Sequence, residues 1–475
     1  MANDEKQDAV LKGGDYLVAG KWYHFIGIGG VGMSGLAQVL LEMGMRVSGS
    51  DMASSPITEN LKKMGAQIYI GHSEDNIKED MDVVVVSSAI HPKNIELSTA
   101  RQRGLDVLKR GELLAQLMDS YQGIAITGSH GKTTTSAMIS VLLTENGYDP
   151  TCLVGGHIAA LGGNARLGRG AYLVAESDES DGSFLKQMPN IAVITNIDDD
   201  HLDYYNDLTG ILEAFQDYLS RIKPGGLAVL CYDNPNVRRL DISQVNAVTY
   251  GLEGNSDYQV KEIKQMGFTT EGKVYHRGSL LGTLKLSVPG FHNMQNALAA
   301  VAVGMHLGMD FSSIAAALSH FTGVQRRFQL VAQFDGIKII DDYAHHPTEI
   351  KALMKAALGV KKNRLITVFQ PHRYTRTKLL KEEFGKAFAG SDLVIVTDIY
   401  SAGELPLDGV SAQGIVQELL KNGENVVYID SLEDVVQYLI REVHSGDTVL
   451  TVGAGNVWTV GKNIAQNIKQ HYRHN

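Results

Sequence analysis

The densest chemistry in this 475-residue chain lies in IAITGSHGKTTT, residues 124–135. Gly128 and Gly131 let the backbone aim its N–H groups at an anion, Lys132 adds a full positive charge, and Thr133 offers a hydroxyl to a phosphate-bound Mg²⁺. Ser129, His130 and Thr134 complete the loop and its first helical turn. The usual phosphate loop has a glycine five residues before its Gly-Lys pair; Ile126 stands there, so this loop is a shorter variant. ATP or GTP binding is the implied chemistry. Downstream, ESDESD begins at Glu176, the first residue past an apolar run and the candidate metal ligand, while Asp178, Glu179 and Asp181 are expected in a solvated acidic loop. His201 in NIDDDHLD is the candidate ligand of a second metal ion.

Two other constellations stand apart from this one. GIGGVG places Gly29, Gly30, Val31 and Gly32 between an apolar run and a helical pattern, and Asp51 lies roughly twenty residues further on, the spacing of a dinucleotide fingerprint. NAD is one reading of that loop, and the diphosphate of a UDP group satisfies the same physics. Ser87 follows the apolar run 83–86, at the carboxyl end where open α/β sheets bind ligands. Toward the C-terminus, DDYAHHP carries Asp342, Tyr343 and His345, and QPHRYTR carries His372, Arg373 and Arg376. Arginines three apart at a strand exit suit a carboxylate or phosphate, because a guanidinium grips either through two hydrogen bonds.

These groups need strands that end together. Residues 20–119 alternate strand and helix patterns in the manner of a doubly wound parallel sheet. Residues 120–328 repeat the alternation, with a β-rich edge over 258–286 and an alanine-rich helix expected from 297, near whose start Asn293 and Asn296 fall in FHNMQN. Residues 329–475 supply four more strands with polar exits. The expected fold class is α/β in three domains: a Rossmann-like domain over 1–119, a central P-loop domain over 120–328 with a parallel sheet and β-rich edge, and a second Rossmann-like domain over 329–475. With 20% charged and 44% hydrophobic residues the balance is that of a soluble globular protein, and a formal charge of -10 argues against nucleic acid or anionic membrane as general partners. Two cysteines exclude a disulfide framework. No signal-peptide core or spanning run is read, so a cytoplasmic protein is expected.

GIGGVGMSGLA, TGSHGKTTT, ESDESDGSFL, TNIDDDHLD, GFHNMQNALAA, DDYAHHPTE and FQPHRYTR, in this order, resemble the Mur ligase family over nearly the whole chain, and the first and last two resemble its alanine-adding member in particular. The resemblance implies ATP-dependent joining of L-alanine to UDP-N-acetylmuramate through an acyl phosphate and a tetrahedral intermediate. It implies that Lys132 and Mg²⁺ neutralise the phosphates, that Thr133 and Glu176 hold one ion and His201 with Glu176 another, and that Asn293, Asn296, Asp342 and His345 face ATP. His372, Arg373 and Arg376, with Tyr343, are implied around the amino acid and the reacting carboxylate; residues 29–32, Asp51 and Ser87 then hold a UDP-sugar instead of NAD. A ligase that reattaches a stem tripeptide to the same sugar nucleotide, and a regulatory module that binds NAD and ATP without ligation, are the alternatives. Two features depart from the wider family: no lysine occurs between His201 and Ile222, where relatives carry a carbamylated one, and Asn456 stands where GAGD is expected.

Overall fold

A computed structural model of the chain describes residues 17, 20–199 and 202–471. The chain packs as two compact units, one running to residue 261 with 274–282 and 295–318, the other comprising 262–273, 283–294 and 319 onward.

Three sheets organise it. The first holds β1 (Trp22–Ile26), β2 (Arg46–Asp51), β3 (Gln67–Ile70), β4 (Val83–Val86) and β5 (Asp106–Lys109), all parallel in the order β3-β2-β1-β4-β5. Helices α1 (Val31–Glu42), α2 (Pro56–Lys63), α3 (Ile95–Gln102) and α4 (Arg110–Asp119) connect and follow the strands. β1 and β4 are buried along their whole length, as strands covered on both faces must be, which is why they read as unbroken apolar runs. Local chemistry starts the helices: Ser55 accepts the Thr58 N–H before α2, and Asn94 accepts those of Glu96 and Leu97 before α3. Strand order reverses between β1 and β4, so the loop after β1 and Ser87 after β4 flank the crevice where such sheets take ligands.

The second sheet has ten strands: β6 (Gln122–Thr127), β7 (Thr151–Ile158), β8 (Gly163–Arg166), β9 (Tyr172–Glu176), β10 (Ile191–Ile194), β11 (Leu227–Cys231), β12 (Ala247–Gly251), β13 (Tyr258–Met266), β14 (Thr269–His276) and β15 (Ser279–Leu286). Their order is β15-β14-β13-β12-β11-β10-β6-β9-β7-β8. Its helices are α5 (Lys132–Glu145), α6 (Leu202–Tyr205), α7 (Leu208–Ser220), α8 (Phe291–His306) and α9 (Phe311–Ser319). β6 is central, with β10 and β9 parallel on either side, so three strand exits converge on the phosphate loop. The β7–β8 pair is antiparallel with a register shift between Leu153 and Ile158. α8 begins six residues earlier than the expected 297, directly after Gly290, whose φ of 100° turns the chain as few other residues would.

One apolar core links these two sheets. Leu36, Ala37, Leu40, Leu113 and Leu117 of α1 and α4 join Leu153, Ala165 and Ala125 in it, all 8% exposed or less. Each leucine so buried contributes about 1.5–3 kcal/mol. Polar ties add direction: Asn164 donates to the Val31 carbonyl at 2.9 Å, Gln38 to that of Ala165 at 3.0 Å, and the Leu167 N–H to Glu42 at 2.7 Å. The β7–β8 pair therefore fixes α1, and with it the glycine loop, against the second sheet.

The third sheet, in the other unit, holds β16 (Gln329–Phe334), β17 (Ile337–Asp342), β18 (Leu365–Phe369), β19 (Leu393–Val396), β20 (Val426–Tyr428) and β21 (Thr448–Val452) in the order β16-β17-β21-β18-β19-β20. All neighbours are parallel except β16 on β17. Helices α10 (Pro347–Leu358), α11 (Tyr374–Leu379), α12 (Lys381–Phe384), α13 (Ala412–Lys421), α14 (Leu432–Glu442) and α15 (Trp458–His471) accompany it. Apolar clusters on both faces, around Phe369 and Phe388 on one and Ile339 and Val449 on the other, make this a doubly wound sheet as well.

Candidate active site

In the first unit the phosphate loop is built as its sequence dictates. Gly128 (φ 124°) and Gly131 (φ 83°) take backbone conformations that side-chain-bearing residues resist. A Cβ at Gly131 would lie 2.8 Å from the Asn296 Oδ1, and one at Gly128 would strike Thr195 and Asn196. Asn196, at the exit of β10, clamps the loop from the side: its Oδ1 accepts the His130 N–H at 2.7 Å and its Nδ2 donates to the His130 carbonyl at 2.9 Å. The His130 ring meets Asp198 at 3.1 Å, and the Asp198 N–H donates to Ser129 Oγ at 2.9 Å. The loop is thus preorganised by its neighbour strand, an arrangement that lowers the entropy lost on binding an anion.

The cations of this site are paired. Lys132 Nζ donates to Glu179 at 2.8 Å and to the Gly128 carbonyl at 2.5 Å. Burial works to lower the Lys132 pKa, yet Glu179, Asp178 and Glu176 outweigh it and hold the ammonium above its ordinary value. Arg110, the first residue of α4, donates to Asp178 at 2.9 Å. Burial opposes ionisation of Asp178, but Arg110 and Lys132 prevail and its pKa falls below the usual carboxylate range. Adjacent acids of one loop therefore hold the two cations. The expected solvated acidic loop is corrected for two of its members: Glu179 is 2% exposed and Asp178 is engaged, because each lies beside a cation that apolar periodicity does not reveal.

Glu176 ends β9. Its Oε1 accepts the Gly155 N–H at 2.9 Å and lies 3.4 Å from the Ser136 hydroxyl one turn into α5. A Cβ at Gly155 would collide with that carboxylate, so glycine there lets strand β7 approach it. Thr133 is buried in the first turn of α5 and Thr134 half-buried beside it. Among the described residues no three acidic, histidine or cysteine side chains cluster as a closed metal site. Mg²⁺ does not require one: it is commonly held by one or two carboxylates with substrate phosphates and water, and Thr133 with Glu176 supplies a donor set of that kind. His201 lies outside the described residues.

A cleft of about 240 Å³ opens here, lined among others by Gly32, Arg110, Lys132, Asn164, Glu176 and Asp178. It joins the P-loop to the other glycine loop. Within that loop the Gly29 N–H donates to Asp51 at 2.8 Å, and a Cβ at Gly32 would meet Arg110 Cδ at 3.0 Å. Asp51 thus braces the loop itself, with Gly30 and Val31 exposed at the start of α1. Ser87 Oγ accepts the Ala89 N–H at 3.3 Å, a turn-forming bond beside the same crevice.

In the second unit, the exits of β17, β18 and β19 gather a different set. Asp342 accepts the N–H groups of Phe328 and Ala344, each at 2.7 Å, and burial pushes its pKa up to about 6 against the pull of Arg327. Tyr343 is flanked by the guanidinium groups of Arg326 and Arg327 at 5.0 and 5.2 Å. His345 Nδ1 lies 3.0 Å from the Tyr343 carbonyl and 3.4 Å from Glu349. His372 Nδ1 lies 3.2 Å from Arg376 Nη1, and its ring stacks on Tyr400 at 5.7 Å and 10°. Burial is the main reason both imidazoles are hard to protonate, pulled down to about 4 and about 3 respectively, and Arg376 adds to both. Arg373 is exposed, with its backbone held at φ 70° and its N–H donating to the Tyr400 carbonyl at 2.8 Å. Asn456 accepts from Gln370 Nε2 at 2.9 Å, a bond that an aspartate there would accept equally. On α8, Asn293 donates to the Pro289 carbonyl at 2.7 Å, inside the helix and not as its cap.

Arg110, Glu179, Asn196, Gly155 and Glu349 were not singled out from sequence. Glu179 carried a signal in its membership of the acidic run, and Asn196 and Glu349 in the motifs TNIDDDHLD and DDYAHHPTE; Arg110 and Gly155 carried none.

The chain matches three family models: Mur ligase family, catalytic domain, over residues 22–122; Mur ligase middle domain over 126–304; and Mur ligase, glutamate ligase domain, over 326–455. It is 52% identical over 453 residues to a UDP-N-acetylmuramate--L-alanine ligase of Pelotomaculum thermopropionicum, covering 95% of this chain and 98% of that one. It is 47% identical over 448 residues to the enzyme of that name from Geotalea uraniireducens, covering 94% and 98%. Among solved structures, the UDP-N-acetylmuramate-alanine ligase of Thermotoga maritima superposes with a TM-score of 0.83 at 31% identity, over 94% of this chain and 99% of that one. A murein peptide ligase from Psychrobacter arcticus, at TM-score 0.70, 22% identity and coverage of 94% and 98%, shares the fold. Together with the two glycine loops and the paired cations between them, these matches show that the chain belongs to the Mur ligase family.

Proposed function

We propose that this chain joins L-alanine to UDP-N-acetylmuramate with ATP, giving UDP-N-acetylmuramoyl-L-alanine, ADP and phosphate, a step of peptidoglycan precursor synthesis. The observation that carries this reading is the single cleft that Gly32, Arg110, Lys132 and Glu176 line in common. A sugar nucleotide seated on residues 29–32, with Asp51 and Ser87, would lie beside the triphosphate site, so its carboxylate can meet a γ-phosphate. We assign residues 1–119 to the sugar nucleotide, 120–328 to ATP and 329–475 to the amino acid.

A carboxylate is a poor electrophile, and bringing it to a phosphate sets two anions against each other. Charge neutralisation is therefore the main task. Lys132 and the first N–H groups of α5 supply it, with Gly128, Ser129, His130, Gly131, Thr133 and Thr134 wrapping the phosphates. Asn296, set against Gly131, and Asn293, Asp342 and His345 are assigned to ATP. Mg²⁺, held by Thr133 and Glu176 with His201 as a further ligand, would spread the γ-phosphate charge. The carboxylate attacks phosphorus, ADP departs, and the alanine amine then attacks the acyl carbon and expels phosphate. Tyr343, His372, Arg373 and Arg376 bind the amino acid, the guanidinium groups facing its carboxylate. No described helix is long and apolar enough to cross a membrane. A cytoplasmic enzyme without nucleic-acid or membrane partners fits these soluble substrates.

Phosphate release from ATP and Mg²⁺, with each substrate omitted in turn, tests the reading. Release that requires both UDP-N-acetylmuramate and L-alanine is expected. Preference for a stem tripeptide would make this a recycling ligase, and no release with any pair would leave a nucleotide-binding module.

A further inference from the structure

The two imidazoles of the second unit have opposite tautomers fixed by their neighbours. A backbone carbonyl can only accept, so at 3.0 Å from the Tyr343 oxygen His345 Nδ1 must carry the proton, and Glu349 at 3.4 Å enforces the same choice. That makes Nε2 of His345 a lone-pair acceptor. A guanidinium can only donate, so His372 Nδ1, 3.2 Å from Arg376 Nη1, must be bare and Nε2 must carry the N–H. His345 presents an acceptor and His372 a donor, with ring centroids 5.8 Å apart.

Alanine itself is a donor–acceptor pair, an ammonium beside a carboxylate. Resting on the ligase reading above, the geometry points to His345 Nε2 as the base that takes the proton from the alanine amine, Glu349 as the carboxylate that orients His345, and His372 Nε2–H as a donor to the alanine carboxylate. In this step one N–H bond of the alanine ammonium breaks and its proton passes to His345 Nε2. The freed electron pair forms the N–C bond to the acyl phosphate carbon. The tetrahedral intermediate then breaks its C–O bond to phosphate, which leaves with that electron pair, and the second amine proton passes to water or the departing phosphate. Glu349 is itself fixed, accepting the N–H groups of His345 and His346 at 3.0 and 3.2 Å at the start of α10. An imidazole whose Nδ1–H faces a carboxylate while Nε2 takes a proton is the arrangement of hydrolase triads.

Burial leaves His345 Nε2 unprotonated at neutral pH in the resting protein, and the same lowered proton affinity opposes proton transfer until the substrates bind. The groups facing it are Glu349 from α10, Tyr343 and Arg327 from the segments at β17, and His372 and Arg376 from beyond β18. The anions of the substrates would offset the two arginines and raise its proton affinity as they bind.

The test uses the full chain with ATP, Mg²⁺ and UDP-N-acetylmuramate, and compares L-alanine with hydroxylamine, a nucleophile already neutral at pH 7 that needs no base. His345→Gln keeps an acceptor near the Nε2 position without its basicity. It is expected to lower kcat with alanine at least about 30-fold more than it lowers hydroxylamine capture of the acyl phosphate, a ratio in which any loss through ATP binding cancels. Glu349→Gln is expected to lie between this variant and the unsubstituted chain. Equal loss with both nucleophiles, or alanine turnover within about threefold of the unsubstituted chain, would overturn the assignment. Should the variant not fold, ¹⁵N imidazole spectra of the unsubstituted chain decide: Nδ1–H on His345 with Nε2–H on His372 supports the proposal, and any other pairing overturns it. If the unsubstituted chain fails with every amine and with hydroxylamine, it is the ligase reading that falls, not the choice of base.

Discussion

The P-loop cleft and the exits of the third sheet both gather polar side chains at the carboxyl ends of parallel strands, but they treat charge in opposite ways. In the cleft, Lys132 stays charged because Glu179 sits against it, and Arg110 pairs with Asp178. At the third sheet, His345 and His372 are crowded by arginines and burial and stay neutral. Phosphates demand permanent positive charge, whereas an amine must meet a group able to take a proton. One fold plan, used twice, sets opposite charge states through what stands next to each cation or imidazole.

Removing the lysine breaks the contrast most severely. Lys132→Ala should reduce sugar-nucleotide-dependent phosphate release by about 1,000-fold or more, on the order of 4 kcal/mol, with UDP-N-acetylmuramate affinity nearly unchanged. It also strands the buried Glu179, a loss of roughly 3–5 kcal/mol in stability. Lys132→Ala with Glu179→Gln should recover much of the melting temperature and none of the activity. Activity that returns with the second substitution would mean that Lys132 acts through folding. Gly131→Ala comes next, since it asks alanine to hold φ 83° against Asn296. About 1–3 kcal/mol of strain should appear as a 5- to 150-fold weaker ATP affinity, read by calorimetry. An unchanged affinity would show that the loop relaxes without cost.

Asp178→Asn sharpens the contrast by leaving a cation without its acid. Arg110 then faces the cleft with less competition, and sugar-nucleotide affinity should tighten by about fivefold, roughly 1 kcal/mol for a partly exposed pair. Weaker binding would make Asp178 a structural support for Arg110 instead of its competitor.

What could be read from sequence divides along the same line as range. The glycine loops, Lys132 and the order of strands are local patterns, since a turn that needs positive φ or a buried parallel strand leaves its mark within a few residues. The pairings are not local. Lys132 finds Glu179 47 residues away and Arg110 finds Asp178 68 residues away. Nothing in the spacing of ESDESD tells which of its acids turn inward, and a solvated loop was the reasonable expectation until the fold placed two cations beside them. The role of Asp51 shows a related gap. Its spacing marked a ligand-binding acid, while the structure shows the carboxylate also bracing Gly29, a use that depends on the backbone turning back toward β2. The tautomers of His345 and His372 lie further still from sequence, because a backbone carbonyl and a guanidinium fix them.

The smallest expected effect is on acid stability, and the pH at which it appears differs between the two regions. His292, His345 and His372 are depressed to about 4, 4 and 3 from an unfolded value of 6.5, so between pH 6.5 and about 4 the unfolded chain binds more protons and the folded second unit loses stability as pH falls. Asp342 works the other way, since its folded value of about 6 exceeds 3.8 and it adds stability as pH falls through that window, offsetting part of the loss. Asp178 in the first unit is depressed below 3.8, so its contribution persists until more acidic conditions, and the raised Lys132 loses its contribution only at alkaline pH. Hydrogen exchange, corrected for intrinsic rates, should therefore show the exits of β17 and β18 losing protection between pH 7 and 5 while residues 128–135 keep theirs. His372→Asn should flatten that slope. Simultaneous loss in both regions would mean that one global transition, and not the local handling of charge, governs the acid response.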